Sequence, residues 1–243
     1  MTSPDKLDDP EGYQAAVEAV CELYRQAPQL HEAGTHVISC DEKTGMQATE
    51  RHHPTKPPKP GLTERIDNHY TRHGTLCLIA NFNIVTGKVE FPTLGDQRRE
   101  EDFVAHIRQT VSQDREGSWV FVVGQLNTHK SAGLVELVTA ECGLVVDLGV
   151  KGKRGVLQSM ASRKAFLEDE SHRIRFVYTP RHASWLNQVE IWFSILVRRA
   201  LRRASFDSKE ALRQRILDFI DYFNAVLAKP FRWTYTGRPL QAS

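Results

Sequence analysis

The chain has 243 residues, of which 40% are hydrophobic and 26% are charged, a composition typical of an ordinary globular protein with one or two domains. The formal net charge is only +2, so overall charge does not indicate nucleic-acid binding, and local basic clusters would have to do so. No run of eighteen apolar residues predicts a membrane helix, and the polar, acidic N-terminus does not resemble a secretory signal. We therefore expect a cytoplasmic protein with no membrane partner. The four cysteines form no close pair, which favours reduced thiols over disulfides or a zinc site.

The first part of the chain predicts a disordered segment followed by a helix. Residues 1–9 are polar, and we expect them to be disordered. Pro10 then opens an amphipathic pattern that ends near Pro28, which predicts a helix leading into the main domain. We interpret residues 10–34 as a linker helix region and residues 35–243 as a single domain.

The first predicted strand ends in an acidic residue. The run His36–Cys40 is prone to form a β-strand, and Asp41 follows it directly. An apolar strand that delivers a carboxylate at its C-terminal end is a common way to build a site on a sheet. An aspartate is also frequent at the start of a turn, and the residues around Asp41 do not decide between these two interpretations.

The middle of the chain alternates strands with helices. The basic, proline-rich stretch 51–60 excludes a central strand or a helix interior and predicts an extended arm. A continuous apolar strand at Ser118–Val123 is expected in the centre of the sheet, and it leads into Gly124. The other predicted elements are strands at Thr75–Phe82, Lys88–Phe91, Leu144–Leu148 and Ile174–Tyr178, and helices at Asp102–Val111, Ala132–Glu141 and Leu157–Leu167.

A late helix carries an acidic residue within its apolar stripe. The stretch 180–194, PRHASWLNQVEIWFS, predicts a helix capped by Ser184, with a buried face that includes Trp185 and Leu186. Glu190 is spaced three or four residues from apolar members of this face, so its carboxylate points to the same side. Such a carboxylate is costly unless a cation or hydrogen-bond donors meet it, although a glutamate at the edge of a stripe can reach water or an arginine.

Taken together, these elements predict an α/β fold with a mixed central β-sheet flanked by helices. The last long helix is expected to begin at a capping box formed by Asp207–Glu210, and the aromatic, basic tail at 229–240 to pack back on the domain. One acidic residue then stands at the end of the first strand and another on a late helix.

Five blocks occur in a characteristic order: CDEKTGMQA at 40–48, RHGTLCLIANFNIVTGKV at 72–89, QLNTHKS at 125–131, TPRHASWLNQVEIWFS at 179–194 and FNAVLAKPFRWTYTGRPL at 223–240. These blocks resemble the DDE transposases of the insertion sequence 630 family, which are bacterial relatives of the mariner elements. The resemblance extends over nearly the whole chain from about residue 10, and its WLNQVE block is specific.

The resemblance implies an RNase H-like fold in which three carboxylates hold two divalent metal ions, Mg²⁺ or Mn²⁺, for phosphoryl transfer on DNA. Asp41 matches the first carboxylate and Glu190 matches the third. The second carboxylate should follow the central strand, where this chain has Gly124. Because glycine has no side chain to bind a metal, we expect a large loss of cleavage activity.

Two other residues offer oxygens that could replace the missing carboxylate, and two further acids lie too far away in the predicted fold. Asp147 is predicted on a neighbouring strand and could approach the site, and Gln125 offers a neutral oxygen. Asp114 and Glu116 precede the central strand and are expected at its opposite end.

Two further features depart from what the resemblance implies. Gly124 and Glu190 are 66 positions apart, about twice the implied spacing, and we interpret the excess, at about 143–172, as an insertion that could touch DNA. Full-length relatives carry helix-turn-helix modules ahead of the catalytic domain. The chain is therefore expected to be truncated at its N-terminus, or to be the downstream half of a split reading frame.

Basic and polar residues flank the expected metal site, and we predict that they contact DNA. The same residue types are also usual on a solvated surface, and the compact basic loop at 151–155 is as typical of a turn as of a phosphate contact. The predicted DNA-binding residues are His129, Lys130, Lys151, Lys153, Arg154, Arg181, Asn187 and Gln188.

Two hypotheses about function follow. The first is a transposase catalytic domain that cleaves and transfers DNA strands with Mg²⁺ or Mn²⁺, associates with the nucleoid, needs no small-molecule cofactor and can form a homodimer. The second is a catalytically dead remnant that acts at most as a DNA-binding or dimerising module. The residue that separates the two hypotheses is Gly124.

Overall fold

A computed structural model describes residues 9–53, 56–63 and 69–238. Its strands are β1 (Thr35–Arg51), β2 (Tyr70–Asn83), β3 (Val89–Gly95), β4 (Ser118–Val123) and β5 (Ile174–Tyr178). They form one five-stranded sheet in the order β3-β2-β1-β4-β5. β2 pairs antiparallel with β1 and with β3, whereas β4 pairs parallel with β1 and with β5. The predicted mixed central sheet is therefore confirmed.

Helices cover both faces of this sheet. They are α1 (Pro10–Glu32), α2 (Glu100–Val111), α3 (Ala132–Glu141), α4 (Met160–Leu167), α5 (Gln188–Leu196) and α6 (Lys209–Tyr222). Wider π-helical turns extend α5 over Val197–Leu201 and α6 over Phe223–Leu227.

Two hydrophobic cores lie on opposite sides of the sheet because successive strand residues point to opposite faces. Val37 of β1 belongs to the core that α1, α5 and α6 cover. Its neighbour Ile38 belongs to the core that α2, α3 and α4 cover. The sheet is thus buried on both sides, which leaves its strand ends as the places where polar side chains can gather.

The C-terminal tail packs on the α1 side, as predicted. The ring of Phe231 stacks on Phe82 with ring centroids 4.6 Å apart. Trp233 meets Tyr24 of α1 edge to face at 5.3 Å.

The strand predicted at Leu144–Leu148 is wrong. This segment is a loop, and Val145 is fully exposed. The carboxylate of Asp147 accepts a hydrogen bond from Gly149 N–H at 2.9 Å and pairs with Arg154, so the chain turns instead of extending. Apolar, β-prone residues need a neighbouring strand to pair with, and β5 already occupies the open edge of β4.

Several predicted helix ends are also corrected. Ser184 does not cap α5, because Ser184–Leu186 form a separate 3₁₀ turn and Asn187 is the cap residue. α6 is capped by Ser208 rather than by the predicted box at Asp207–Glu210. α1 continues through Pro28 and ends at Glu32.

Parts of the predicted terminal and arm segments lie outside the described residues. Residues 1–8 of the segment predicted to be disordered are among them, whereas Asp9 caps α1 by accepting a hydrogen bond from Gly12 N–H at 2.9 Å. Of the predicted arm at 51–60, residues 54–55 also lie outside. Across the described ranges, no helix combines the length and the apolar character that crossing a lipid bilayer requires.

Candidate metal centre

Asp41 and Gly124 lie side by side on β1 and directly after β4, just beyond the last parallel pair of these two strands. β1 does not end at Asp41 as predicted but continues to Arg51, because its second half pairs with β2. Ser39 of β1 pairs with Val122 of β4, so Asp41 and Gly124 follow at the same level of the sheet. A Cβ atom added to Gly124 would lie 3.6 Å from Asp41 Oδ2, which is an ordinary van der Waals contact. The backbone of Gly124 does not adopt a positive φ, so an L side chain causes no strain there. Position 124 therefore has both the place and the backbone for a second carboxylate.

A buried hydrogen-bond network orients the Asp41 carboxylate. Nδ2 of Asn187 donates to Asp41 Oδ2 at 3.1 Å and also to the backbone of β1. The hydroxyl of Ser39 donates to Asn187 Oδ1 and accepts from the N–H of Val189 at 2.8 Å. These bonds attach the start of α5 to β1 beside Asp41.

Glu190 lies in the first turn of α5, and its side chain is half-buried. Its N–H donates to the carbonyl oxygen of Asn187 at 3.0 Å. Asn187 also bonds Asp41, so the first turn of α5, which carries Glu190, begins beside Asp41. The tight group of ligating side chains around Asp41, however, does not include Glu190.

That tight group consists of Asp41, Glu42 and His129, with one ligand atom of each within 4.8 Å of the others. Glu42 Oε2 lies 3.0 Å from His129 Nε2, and the two side chains are 1% and 0% exposed. On the other side of the imidazole, Nδ1 lies 3.0 Å from the carbonyl oxygen of Gly124. A carbonyl oxygen only accepts hydrogen bonds, so Nδ1 carries a hydrogen and donates it.

Burial and mutual attraction shift the pKa values of these three groups in different directions. Burial raises the pKa of Asp41 to about 7, against the opposing effects of a hydrogen bond from Glu42 N–H and of the His129 charge. Burial also favours a higher pKa for Glu42, but the hydrogen bond and charge of His129 outweigh it and lower the pKa. Burial disfavours protonated His129, but Glu42 outweighs that effect and raises the pKa of the imidazole. Glu42 and His129 thus form a buried ion pair, while the Asp41 carboxylate remains poorly compensated.

The donor atoms of this group fit a divalent metal ion. Asp41 offers carboxylate oxygens, and Glu42 Oε1 is buried with no hydrogen-bond partner among the residues that the structure describes. Carboxylate oxygens suit Mg²⁺ and Mn²⁺, and a metal ion would supply the compensation that Asp41 lacks.

The predicted substitutes for the missing carboxylate lie elsewhere or already have other partners. Asp147 lies in the exposed loop after α3, where it pairs with an arginine at 2.7 Å. Gln125 Oε1 accepts a hydrogen bond from Lys130 Nζ at 2.7 Å, so this oxygen is already engaged. Asp114 bonds a histidine at the start of β1, at the opposite end of the strand, as expected.

The predicted DNA contacts divide into exposed and buried residues. Lys151, Lys153, Arg154 and Arg181 are exposed, and Lys130 is half-buried. His129, Asn187 and Gln188 are buried, so they offer no surface to DNA, and the first two bond residues of the site from within. Lys151 shares a groove with acidic residues of α2 and α3, which offset its charge.

Lys130 belongs to a cluster of positive charge beside Gly124. Burial lowers the pKa of Lys130, and repulsion from Lys164 and Arg181 lowers it further. Lys130 and Lys164 both approach the ring of Tyr178, at 5.4 and 5.3 Å from its centroid. Sequence reasoning missed Lys164 because it lies on α4, far along the chain from the site motifs.

Arg98 is a second basic residue that sequence reasoning missed. A groove of about 330 Å³ is lined by Arg98 and by residues 125–128, which follow Gly124. Burial raises the pKa of Glu42. His129 lowers it, and the charge of Arg98 adds a smaller lowering effect. No local motif in the sequence surrounds Arg98.

Trp185 does not pack in the core, contrary to the prediction. It is 40% exposed, and its ring meets Tyr235 of the tail edge to face at 5.4 Å. The 3₁₀ turn at Ser184–Leu186 places Trp185 outside the regular stripe of α5. His182, three residues before Trp185, has a φ of 62°, a left-handed conformation that non-glycine residues rarely adopt.

The sheet order, the helices on both faces and the site at the strand ends define an α/β protein with an RNase H-like fold. The chain belongs to the DDE superfamily endonuclease family, whose sequence pattern matches residues 36–213. No protein among those with curated functions matches the sequence.

Solved structures of the Mos1 mariner transposase share the fold. The Mos1 paired end complex with Mn aligns at a TM-score of 0.55 and 14% identity, over 96% of this chain and 60% of that chain. The Mos1 catalytic domain with Raltegravir and Mg aligns at a TM-score of 0.52 and 11% identity, over 93% and 89%. The chain thus spans 60% of the length of the Mos1 chain in the paired end complex.

Proposed function

We propose that this chain is the catalytic domain of a DNA transposase of the insertion sequence 630 type that lacks one metal-binding carboxylate. The observation that carries this proposal is the position of Gly124, where a Cβ atom would lie 3.6 Å from Asp41 Oδ2. The relatives that share the fold include Mos1 complexes described with transposon-end DNA and with Mn or Mg.

Asp41 and Glu190 would hold the divalent ion, Mg²⁺ or Mn²⁺, in this function. A bound ion of this kind activates water or a DNA 3′-hydroxyl and stabilises the leaving oxygen. Asn187 contributes by directing Asp41 Oδ2 through its 3.1 Å hydrogen bond. The buried pair of Glu42 and His129 holds the turn after β4 against the middle of β1.

The absence of a carboxylate at Gly124 removes an anionic ligand from this arrangement. Losing a residue that only supports a metal ligand typically costs 10–100-fold in affinity or activity, so losing a ligand itself is expected to cost at least about 100-fold. Neither Asp147 nor Gln125 replaces it, because both have other partners. Cleavage by the natural chain should therefore be weak.

DNA would lie along the positively charged surface beside Gly124 that Lys130, Lys164 and Arg181 form, here called the positive edge. Lys164 and Arg181 repel Lys130 there, although Lys164 also pairs with Glu168, and phosphate groups would relieve that repulsion. We also propose phosphate contacts for the exposed loop residues Lys153 and Arg154, although Arg154 already pairs with Asp147. We propose that a protein with this function works in the cytoplasm at the nucleoid. We also propose that two copies of the chain form a homodimer.

A second candidate function is that of a DNA-binding or dimerising module without catalysis. The same glycine favours it, because the positive edge is present while the second carboxylate is not. The two candidates differ in one respect: only the first expects cleavage to return when the carboxylate is restored.

The test is a plasmid-nicking assay with Mg²⁺ or Mn²⁺. We expect little nicking by the natural chain, strong nicking by Gly124→Asp, and loss of nicking when Glu190→Ala is added to Gly124→Asp. An inert Gly124→Asp variant that still binds DNA would favour the non-catalytic module. Nicking by Gly124→Asp that survives Glu190→Ala would remove Glu190 from the proposed site.

A further inference from the structure

The contact between His129 and Glu42 holds a positive group between two electron-rich atoms: in the metal-free protein this is the proton of the ion pair, and a bound metal ion would replace that proton. Nδ1 of His129 donates its hydrogen to the Gly124 carbonyl oxygen, so Nε2 faces the carboxylate of Glu42. Without a proton or a metal ion between them, the Nε2 lone pair and Oε2 would repel each other at 3.0 Å. A histidine whose Nδ1 donates to a backbone carbonyl while Nε2 is directed at a ligand is the usual arrangement of a metal-binding imidazole.

The separation of the two atoms suits a shared metal ion. Two ligands that are each about 2.1 Å from an octahedral divalent ion, at about 90° to each other, stand about 3.0 Å apart. Nε2 of His129 and Oε2 of Glu42 are 3.0 Å apart. Asp41 contributes a third ligand atom within 4.8 Å of both, and its side chain is only half-buried, so solvent reaches the group from that side.

An independent observation also indicates a missing positive partner. Glu42 Oε1 is buried with no hydrogen-bond partner among the described residues, although the side chain of Glu42 is only 1% exposed. A buried carboxylate oxygen without a partner is costly, and a metal ion at this group would remove that cost.

We propose that Asp41, Glu42 and His129 bind a divalent metal ion of the Mn²⁺ or Zn²⁺ class through one imidazole nitrogen and carboxylate oxygens. The inference rests on the proposed function for the use of Asp41, but it assigns a different ligand set. Imidazole nitrogen favours Mn²⁺ and Zn²⁺ over Mg²⁺, which prefers oxygen ligands alone. The ion would be held by residues of β1 and of the turn after β4. This place is next to position 124, where the chain has no carboxylate.

The test uses Mn²⁺ as the probe and reads its ligands by pulsed electron paramagnetic resonance. Mn²⁺ bound to the natural chain should show electron spin echo modulation from a directly bound ¹⁴N nucleus. His129→Gln should abolish the nitrogen modulation, and Glu42→Gln should weaken Mn²⁺ binding by about tenfold or more. His73→Gln is the matched control, because His73 also pairs with a glutamate, at 2.9 Å, but on the surface and outside the group. This control should keep the modulation.

The natural chain alone decides the outcome if His129→Gln fails to fold. Bound Mn²⁺ without nitrogen modulation would overturn the proposal while leaving an Asp41 and Glu190 site, and so the proposed function, intact. Absence of Mn²⁺ binding by the natural chain would also overturn it. In that case the nicking assay of Gly124→Asp would still test the proposed function separately. Gly124→Asp should itself raise Mg²⁺ affinity, because it adds an oxygen ligand.

Discussion

His129 Nε2 lies 3.0 Å from Glu42 Oε2, and neither side chain reaches solvent. The pair joins the turn after β4 to the middle of β1, and the other imidazole nitrogen donates to the carbonyl oxygen of Gly124. The backbone at position 124 is therefore held in place from both sides. If position 124 is the place of a missing carboxylate, as we propose, the supporting contacts around it are still present.

The first prediction concerns the stability that this ion pair provides. His129→Leu should lower the free energy of unfolding by about 3–5 kcal/mol, because it leaves the Glu42 charge buried and unpaired. Adding Glu42→Met should recover most of the loss, since both polar partners are then gone. Urea unfolding of the two variants measures this difference. A loss below about 1 kcal/mol for His129→Leu, the usual value for a surface pair, would contradict the buried pairing.

The second prediction is a pH dependence that arises from His106. Burial lowers the pKa of His106 to about 4, against a smaller opposing attraction from Glu42. Between about pH 6.5 and pH 4 the unfolded chain therefore binds a proton that the folded chain does not, so stability falls as pH falls.

The variant His106→Asn should remove this component, because it keeps a polar group near Thr93, which lies 2.8 Å from His106 Nδ1, but does not titrate in this range. From about pH 7 to about pH 5, the natural chain should lose about 2 kcal/mol more than the variant. Urea unfolding at both pH values gives the comparison. Equal losses would mean that His106 titrates normally in the folded protein.

The third prediction tests how closely the tail packs on the β2–β3 hairpin. Gly87 has a φ of 68°, and a Cβ atom there would lie 2.1 Å from the carbonyl carbon of Lys229. Gly143 has a φ of 62° but has nothing within 4 Å of its Cβ position. Gly143→Ala should therefore cost only the left-handed penalty, about 1–2 kcal/mol, whereas Gly87→Ala should cost clearly more. Chemical unfolding of the two variants decides, and equal costs would show that the tail moves away freely.

The fourth prediction concerns the positive edge. Arg181→Ala should weaken DNA binding several-fold and reduce the slope of log affinity against log salt by about 1, because one phosphate contact is lost. Arg115→Ala makes the same charge change just before β4, at the opposite end of that strand, and should change affinity less than about twofold. Fluorescence anisotropy across a salt series measures both. Equal effects would mean that binding reflects overall charge and not this edge.

The elements with strong local patterns were predictable from the sequence. β4, β5 and α3 have the predicted bounds, because a short continuous apolar run or a regular apolar spacing defines each of them. The segment Leu144–Leu148 has an equally β-prone composition but no strand to pair with, and pairing is a property of the whole sheet.

The site was only partly predictable for a related reason. Although β1 continues beyond Asp41 to Arg51, the positions of Asp41 and Gly124 follow from the apolar runs that precede each of them. The role of Glu42 does not, since neighbouring strand residues are expected on opposite faces, and its partner His129 is 87 positions away. The spacing of Trp185 fits the helix stripe and so predicts a core position. The helix, however, begins only after Trp185.

We propose that the missing carboxylate at position 124 limits cleavage, and two nearly identical variants can test this. Gly124→Asp and Gly124→Asn add side chains of the same size, but only the aspartate is an anionic metal ligand. Single-turnover cleavage of DNA with Mn²⁺ should be at least about 100-fold faster for Gly124→Asp than for Gly124→Asn, with the natural chain as slow as Gly124→Asn. Cleavage by the natural chain at the rate of Gly124→Asp would contradict this proposal, because position 124 would then not limit the rate of cleavage.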